Sequence, residues 1–201
     1  AKLPSVTSIL SLTKSEEEIA ALANWSERVG LKEANRIKTE ASTRGTLMHS
    51  YIEDFLRGRV NESFFETNEQ YKIMAKEIID KGLNGRLEEI YGIEETIYYP
   101  DQYAGTADLL AKMNGVDVCI DFKQANKPKK SDFIQDYFLQ LGAYTLGHDV
   151  VHGTKMKAGI ILLCTQDILF QEFKIEGAEL EMYQNLFMGR VKKFYELNNI
   201  S

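Results

Sequence analysis

Two acidic side chains and one basic side chain stand within apolar, strand-like runs of this sequence. Asp121 and Lys123 alternate with Ile120 and Phe122, and alternate residues of a β-strand share one face of a sheet. We therefore expect Asp121 and Lys123 to lie on the same face. An earlier strand-like run contains Asp108. If the two runs pair with each other, two carboxylates and one ammonium group converge.

The segment between the two aspartates supports that pairing. It contains Asn114-Gly115, a dipeptide typical of a two-residue β-hairpin turn. Two carboxylates brought together by a hairpin repel each other unless a cation lies between them, and Mg²⁺ prefers carboxylate oxygens. The pattern therefore predicts a metal site at Asp108 and Asp121, where Lys123 can orient a water molecule and balance the charge of a phosphate.

The rest of the chain predicts the elements that hold these residues. Ser15 followed by Glu18 is a capping-box pattern that begins a helix, and short β-branched and aromatic runs follow from Ile93. We expect helices from Ser15, over 42–57, over 68–89 with interruptions near Gly82 and Gly85, from Ser131 or Asp132 to Gly147 and over 178–197, and strands over 93–99, 103–113, 116–122, 158–165 and 168–175. This order predicts an α/β fold in which helices flank a central mixed sheet of about five strands, with an N-terminal helical elaboration.

Length and composition restrict the class of protein. The 201 residues, 44% of them hydrophobic, can bury one core, so we expect a single domain that is mainly helical over 1–90 and carries the sheet over 91–201. Neither a signal peptide nor an apolar span of roughly 20 residues is evident, which predicts a soluble, intracellular protein without membrane contact. Cys119 and Cys164 lie in apolar runs, so we expect reduced core thiols and no iron–sulfur cluster.

The charge of the chain limits how it can contact nucleic acid. A formal net charge of −6 disfavours nonspecific wrapping of a phosphate backbone. Four lysines nonetheless lie within 123–130 without an acid among them: Lys123, Lys127, Lys129 and Lys130. Such a patch can bind DNA, although by itself it is more typical of a solvated loop.

Four motifs follow one another along the chain. They are Gly45-Thr46-x-x-His49, Gly105-Thr106-Ala107-Asp108, Asp121-Phe122-Lys123 and Tyr137-x-x-Gln140-Leu141-x-x-Tyr144. In this order they resemble the PD-(D/E)xK nuclease superfamily in its RecB-like branch. Within that branch the chain is most similar to the mitochondrial genome maintenance exonucleases and their phage and bacterial relatives, whose start the stretch LPSVTSIL also resembles. The resemblance implies a restriction-endonuclease-like core.

The resemblance also implies roles for the motif residues. His49, Asp108 and Asp121 are expected to bind one or two Mg²⁺ or Mn²⁺ ions, together with the backbone carbonyl of Phe122. Lys123 is expected to hold the attacking water or the scissile phosphate. The other implied or candidate site residues are catalytic Gln140, an additional acid at Glu95, and DNA contacts at Tyr137, Tyr144, Lys127, Lys129, Lys130, Ser5 and Thr7. Packing of the tyrosines on the sheet and capping by Ser5 and Thr7 remain open alternatives.

The implied activity is metal-dependent hydrolysis of DNA from a free end. Single-stranded DNA is expected to be preferred and to thread beneath the N-terminal helices, in the cytoplasm or, if a leader has been removed, in the mitochondrial matrix. Replication or recombination proteins are the expected partners. The alternatives are a nuclease subunit that acts on duplex ends or within a helicase or recombination complex, and a noncatalytic nucleic-acid-binding module.

Two histidines offer a second candidate metal site. His148 and His152 have the spacing of a zinc-binding pair on a helix. The flanking Gly147 and Gly153 predict a helix end or loop at that point. We therefore do not expect zinc there.

Overall fold

The computed structural model describes residues 2–60 and 68–198, in which a sheet lies between two layers of helices. The α-helices of the described residues are α1 (Val6–Leu12), α2 (Glu16–Val29), α3 (Leu31–Leu56), α4 (Gln70–Ile78), α5 (Gln135–His152) and α6 (Gly177–Leu197). The strands are β1 (Leu87–Tyr99), β2 (Tyr103–Met113), β3 (Val116–Ala125), β4 (Ala158–Thr165) and β5 (Phe170–Glu176). The predicted α/β fold with a central mixed sheet is therefore confirmed.

The strands lie across the sheet in chain order, from β1 to β5. β1, β2 and β3 form an antiparallel meander, β3 and β4 are parallel, and β5 is antiparallel to β4. α5 provides the crossover that a parallel pair requires. The predicted hairpin turn is confirmed, because Met113 pairs with Val116 while Asn114 and Gly115 have φ of 49° and 76°, as a type I′ turn requires.

Apolar side chains cover both faces of the sheet. One face packs on α1, α5 and α6, and the other packs on α3 and α4. Alternation along β3 divides the two sets, since Cys119 joins the first core while Ile120 and Phe122 join the second. Cys164 lies in the second core, and both cysteines are buried and free, which confirms the expected core thiols.

The first helices differ from expectation in one boundary. α2 begins at the predicted capping box, where Ser15 Oγ accepts a hydrogen bond from the Glu18 N–H at 3.2 Å. α3 begins directly after Gly30, which has φ of 86°, so it is much longer than the predicted 42–57. Polar and charged residues outnumber apolar ones in its first half, where Ala34 is the only buried residue. Apolar periodicity was therefore a weak signal there.

The third predicted helix ends early. A π-helical turn (Ile79–Leu83) closes α4, and β1 begins at Leu87, so the predicted end at residue 89 is wrong and the sheet starts before residue 91. A Cβ atom on Gly82 would lie 2.7 Å from Leu162 Cδ1, which shows how closely this turn approaches β4. Pairing with β2 overrides the helical tendency of the residues at the start of β1.

The end of α5 also differs from expectation. A 3₁₀ turn (Ser131–Phe133) precedes the helix, which continues past the predicted end at Gly147 to His152. Gly147 serves packing rather than termination, since a Cβ atom there would lie 2.8 Å from Ile97 Cγ2. Gly153, with φ of 64°, is the left-handed cap.

The last elements are close to those predicted. β5 begins at Phe170, since Ile168 lies in the preceding turn with φ of 61°. α6 begins one residue before the expected position, at Gly177. Among the helices described, none has both the length and the apolar character needed to cross a membrane. The single-domain organisation stays a prediction.

Candidate active site

A cleft of about 600 Å³ opens between α3 and the ends of β2 and β3. Each of the four sequence motifs contributes to its wall, through His49, Asp108, Lys123 and Tyr137 among others. The remaining lining residues are Ala41, Ser42, Gly45, Thr46, Ser50, Glu53, Glu94 and Gln124. The fold thus brings the four motifs, which are far apart in the chain, to one place.

β2 and β3 separate where they reach the cleft. The last pair of their ladder is Leu109 with Ile120, so Asp108 and Asp121 lie directly beyond it. Asp108 Oδ2 accepts a hydrogen bond from the Phe122 N–H at 2.8 Å. The Asp108 carboxylate thereby takes the place that a backbone carbonyl of β2 would have if the ladder continued. Asp108 and Asp121 therefore converge, as the predicted hairpin requires.

His49 presents one ring nitrogen to Asp108. The His49 Nδ1–H donates to the Gly45 carbonyl at 2.8 Å, and Nε2 lies 3.2 Å from Asp108 Oδ2. Burial by itself would lower the pKa of His49, but the hydrogen bond to Asp108 and its charge outweigh burial and raise the pKa to about 9. At neutral pH the ring therefore carries a proton on Nε2, which a cation must displace to bind there.

A chain of polar contacts runs from Asp121 into α5. Lys123 Nζ lies 2.6 Å from Asp121 Oδ2 and donates to Gln140 Oε1 at 2.9 Å. Gln140 Nε2 in turn donates to the Tyr144 hydroxyl at 3.0 Å. The Lys123 ammonium also lies 4.9 Å from the centre of the Tyr137 ring. These contacts hold the ammonium group at the cleft wall.

Burial sets the ionisation of the Asp121–Lys123 pair. It raises the pKa of Asp121 to about 6 against the attraction of Lys123, and repulsion from Asp108 adds to the rise. Burial opposes the charged form of Lys123 too, but Asp121 and Asp108 outweigh it and raise the pKa of Lys123 above its usual range. Lys123 is therefore charged at neutral pH, and Asp121 is ionised there at a cost in folding free energy.

The additional acid at the cleft is Glu94, where the sequence suggested Glu95. Glu94 lies between the Ile93–Leu109 and Glu95–Ala107 pairs, hence opposite Asp108, and it lines the cleft. Its carboxylate is solvent-accessible, yet the surrounding protein removes part of its water. This loss, with repulsion from Asp108, raises the pKa of Glu94. The charge of Glu95 acts instead on His148, away from the cleft.

Tyr144 and Ser5, two of the residues expected to touch DNA, both make structural contacts within the fold. Tyr144 is 3% exposed, so it supports Gln140 from within the core. Ser5 caps α1 by accepting from the Ser8 N–H at 3.0 Å, which supports the capping alternative, and its hydroxyl lies 3.2 Å from that of Thr7. Contacts of Ser5 and Thr7 with DNA stay predictions.

The other residues expected to touch DNA are open to solvent. Tyr137 is partly exposed and lines the cleft. Lys127 and Lys130 are exposed and Lys129 is partly exposed, in the loop that connects β3 to the 3₁₀ turn. Their surface position suits a phosphate backbone, and their contact with DNA stays a prediction.

The donor set suits a hard divalent cation. The two aspartates and the neighbouring Glu94 provide the carboxylate oxygens that Mg²⁺ and Mn²⁺ prefer, and His49 adds an imidazole nitrogen, which is more typical of other divalent metals. Apart from Lys123 Nζ, which lies 2.6 Å away, the buried Asp121 Oδ2 has no polar partner among the described residues. Residues 2–60 and 68–198 contain no group of three His, Cys, Asp or Glu side chains already arranged to hold a metal ion. Metal binding, including that by the Phe122 carbonyl, stays a prediction.

Known proteins resemble this chain in sequence. Human mitochondrial genome maintenance exonuclease 1 is 26% identical over 181 residues, which cover 82% of this chain and 50% of that protein. The protein of the same name from Xenopus tropicalis is 25% identical over 179 residues, which cover 82% of this chain and 49% of that protein. The chain thus spans about half the length of the curated relatives it matches. No model of a known protein family matches the chain.

A solved structure shares the fold. A putative exonuclease from Eubacterium rectale matches with a TM-score of 0.50 and 14% sequence identity, over 79% of this chain and 69% of that one. This likeness supports the α/β architecture. The sequence relatives carry the name of the exonuclease group that the four motifs resemble.

Proposed function

We propose that this chain, a PD-(D/E)xK-type relative of the mitochondrial genome maintenance exonucleases, is a metal-dependent deoxyribonuclease that hydrolyses DNA from a free end. The observation that carries the proposal is the convergence of Asp108, Asp121 and Lys123 where β2 and β3 separate. If the Asp121–Lys123 ion pair only supported the fold, the Asp108 carboxylate and His49 would not be needed beside it at an open cleft. Phosphodiester hydrolysis uses all four groups.

Each group has a role in that reaction. His49, Asp108 and Asp121 would hold Mg²⁺ or Mn²⁺, which supplies an activated water and neutralises charge on the phosphate. Lys123, directed into the cleft by Asp121 and Gln140, holds the attacking water or a phosphate oxygen. Because these contacts exist before substrate arrives, the ammonium group needs little reorganisation in the transition state.

The preferred substrate in this proposal is single-stranded DNA with a free end. The lysines beyond β3 attract the phosphate backbone, and the strand passes beneath α2 and α3, so that an end must enter first. Replication or recombination proteins are the proposed partners. The proposed location is the cytoplasm or the mitochondrial matrix.

Hydrolysis of labelled linear and circular single-stranded DNA tests the proposal. We expect Mg²⁺ or Mn²⁺ to support degradation of the linear form alone, and EDTA to abolish it. Lys123→Ala should slow hydrolysis by about 100-fold or more, as removal of a preorganised electrostatic contact does. Lys192→Ala is the matched control, because its side chain is 80% exposed on α6. Cleavage of the circle, cleavage in EDTA, or full activity of Lys123→Ala would contradict the proposal.

A further inference from the structure

The loop that connects β3 to the 3₁₀ turn carries positive charge without internal compensation. Lys127, Lys129 and Lys130 form no ion pair among the described residues. Their charges are therefore available to an external anion. A row of such lysines beside a cleft is the electrostatic pattern expected along a nucleic-acid backbone.

The backbone of this loop is held in place. The Lys129 N–H donates to Gln171 Oε1 at 2.7 Å, and Gln171 Nε2 donates to the Lys129 carbonyl at 2.9 Å. The Phe133 N–H donates to the Lys130 carbonyl at 3.0 Å. Arg44 of α3 also donates to Asn126. A ligand that binds here therefore meets a loop whose main chain is already ordered.

Phe133 stands outside the core at the end of the loop. Its side chain is 79% exposed, the highest value among the large apolar side chains of the described residues. The next residue, Ile134, is only 2% exposed, so the chain is anchored directly beside the ring. Ser131 and Asp132 on the other side are polar and exposed. Within 131–134, Phe133 is therefore the one exposed apolar side chain, and its ring suits a planar group.

We propose that Phe133 is a stacking platform for an unpaired nucleobase of a DNA strand whose phosphates lie along Lys127, Lys129 and Lys130. The inference rests on the proposed function, because it assigns a binding position for the same substrate. Phe133 precedes Tyr137 by four residues, and Tyr137 lines the cleft beneath Lys123. The 3₁₀ turn ends at Phe133 and α5 begins at Gln135, and four residues of chain span at most ~14 Å, so the stacked base lies near the nucleotide at the cleft.

Stacking at this position favours single-stranded DNA. Lysines attract phosphates of paired and unpaired strands alike, whereas bases inside a duplex are already covered by their neighbours. Every base has a flat face, so a phenyl ring accepts an unpaired base without reading its identity. Phe133 thus provides the distinction between strand types that the lysine loop does not.

Equilibrium binding of labelled oligonucleotides to the full chain in EDTA tests the inference without hydrolysis. Base–aromatic stacking accounts for about 1–3 kcal/mol per base, so Phe133→Ala should weaken binding of single-stranded DNA about 5-fold or more and binding of duplex DNA much less. Phe133→Trp should retain binding. Tyr98→Ala is the control, because Tyr98 is 44% exposed on β1 and does not line the cleft.

A second arm identifies the contact as stacking. We expect oligonucleotides with one abasic position, moved stepwise along the strand, to include one that binds wild type and Phe133→Ala equally. Lys127→Ala should reduce the salt dependence of binding, whereas Phe133→Ala should leave it unchanged. Equal binding of wild type and Phe133→Ala to every single-stranded probe would overturn the inference. Equal losses for duplex and single strands, or no binding by the wild type, would do the same.

The two proposals can fail separately. If wild type hydrolyses DNA but Phe133→Ala binds normally, the stacking platform is wrong and the nuclease proposal stands. If Phe133→Ala weakens binding but no divalent cation supports hydrolysis, the chain binds single strands and the nuclease proposal is wrong.

Discussion

Replacement of Asp121 by asparagine should stabilise the fold in the absence of metal while removing activity. The Asp121 side chain is 3% exposed, and Lys123 Nζ, 2.6 Å away, is the one polar partner of its Oδ2 atom among the described residues. Burial raises the pKa of Asp121 from 3.8 to about 6, even with Lys123 beside it. The ionised carboxylate therefore destabilises the fold at neutral pH, and a neutral amide of the same shape removes that cost.

The size of the effect follows from the pKa. A rise of about two units corresponds to about 3 kcal/mol at 1.36 kcal/mol per unit. Because the folded pKa is raised, wild-type stability from this group is fully present below the unfolded pKa and is lost as the pH rises through about 6. The amide that replaces the carboxylate cannot pair with the Lys123 charge, although Lys123 keeps its hydrogen bond to Gln140. We therefore expect the free energy of unfolding of Asp121→Asn to exceed that of wild type by about 1–3 kcal/mol at pH 7.5. At pH 4.5 this difference between the two proteins should be about 2 kcal/mol smaller.

Denaturation in EDTA measures this difference. Urea unfolding at pH 7.5 and pH 4.5 gives both free energies, and a thermal scan at pH 7.5 should show a rise in Tm of about 2–12 °C for a chain of this length. Asp132→Asn is the matched control, because Asp132 is exposed and should change neither value. An Asp121→Asn variant that is less stable than wild type at pH 7.5 would refute the reasoning, since the carboxylate would then be a net stabilising group.

Added metal should reverse the order of stability. A ligand that binds only the folded chain stabilises it by RT ln(1 + [L]/Kd), so Mg²⁺ or Mn²⁺ should raise the Tm of wild type and not that of Asp121→Asn. This readout is independent of hydrolysis. Equal rises in both proteins would show that Asp121 is not a ligand.

Three further predictions follow from the same structure. Glu94→Gln should raise the metal concentration needed for half-maximal hydrolysis, whereas Glu95→Gln should not, because only Glu94 lines the cleft; equal effects would argue against a role for Glu94. Gly142→Ala should lower stability by about 1–3 kcal/mol in urea unfolding, because its Cβ would lie 2.7 Å from the backbone of Tyr183; an unchanged midpoint would mean that α5 and α6 separate easily. Burial lowers the pKa of His148. As the pH drops, the unfolded state therefore binds the proton first, and stability falls below about pH 6.5. His148→Gln should reduce the loss of Tm between pH 7 and pH 5, and an equal loss of Tm in variant and wild type would contradict this.

The strand that carries Asp121 and Lys123 was predictable because its signals are local. A period of two assigns Ile120 and Phe122 to one face and the charged pair to the other, and the structure places Phe122 in the core against α3 and α4. The type I′ turn then sets the register that brings Asp108 alongside. Short-range rules were sufficient here because a hairpin is a short-range structure.

The identity of the additional acid could not be predicted by the same rule. Ile93 packs with the α3 and α4 core, yet Ile97 packs with the opposite core, although four residues should return a regular strand to the same face. Between them Glu94 has φ of 51°, a conformation unfavourable for a non-glycine residue. Glu94 therefore changes the face of the sheet on which the following side chains lie. Regular alternation back from Ile97 would place Glu95 on the face of Asp121 and Lys123, whereas in the structure Glu94 lines the cleft.

Tertiary contacts also explain the wrong end of α5. Glycine within a helical pattern indicates an end when only local propensity is considered. In the fold, the absence of a side chain at Gly147 allows α5 to lie against Ile97 of β1, and this packing outweighs the propensity of one glycine. The helix therefore reaches His152, and His148 and His152 do lie on one helix, contrary to expectation.

The Asp121–Lys123 pair is better explained by chemistry at the cleft than by a contribution to the stability of the fold. A buried ion pair often stabilises a protein no better than apolar residues of similar size, and the raised pKa of Asp121 indicates a net cost here. Cys119 and Ala125, which share the face of the charged pair, show that this side of β3 accommodates apolar residues. The costly charges lie where the strands separate and the cleft begins, so their contribution to stability does not explain them. Cation binding and phosphate chemistry do. Because the raised pKa of Asp121 already includes the attraction of Lys123, Asp121→Asn should strengthen the fold without metal and abolish the reaction.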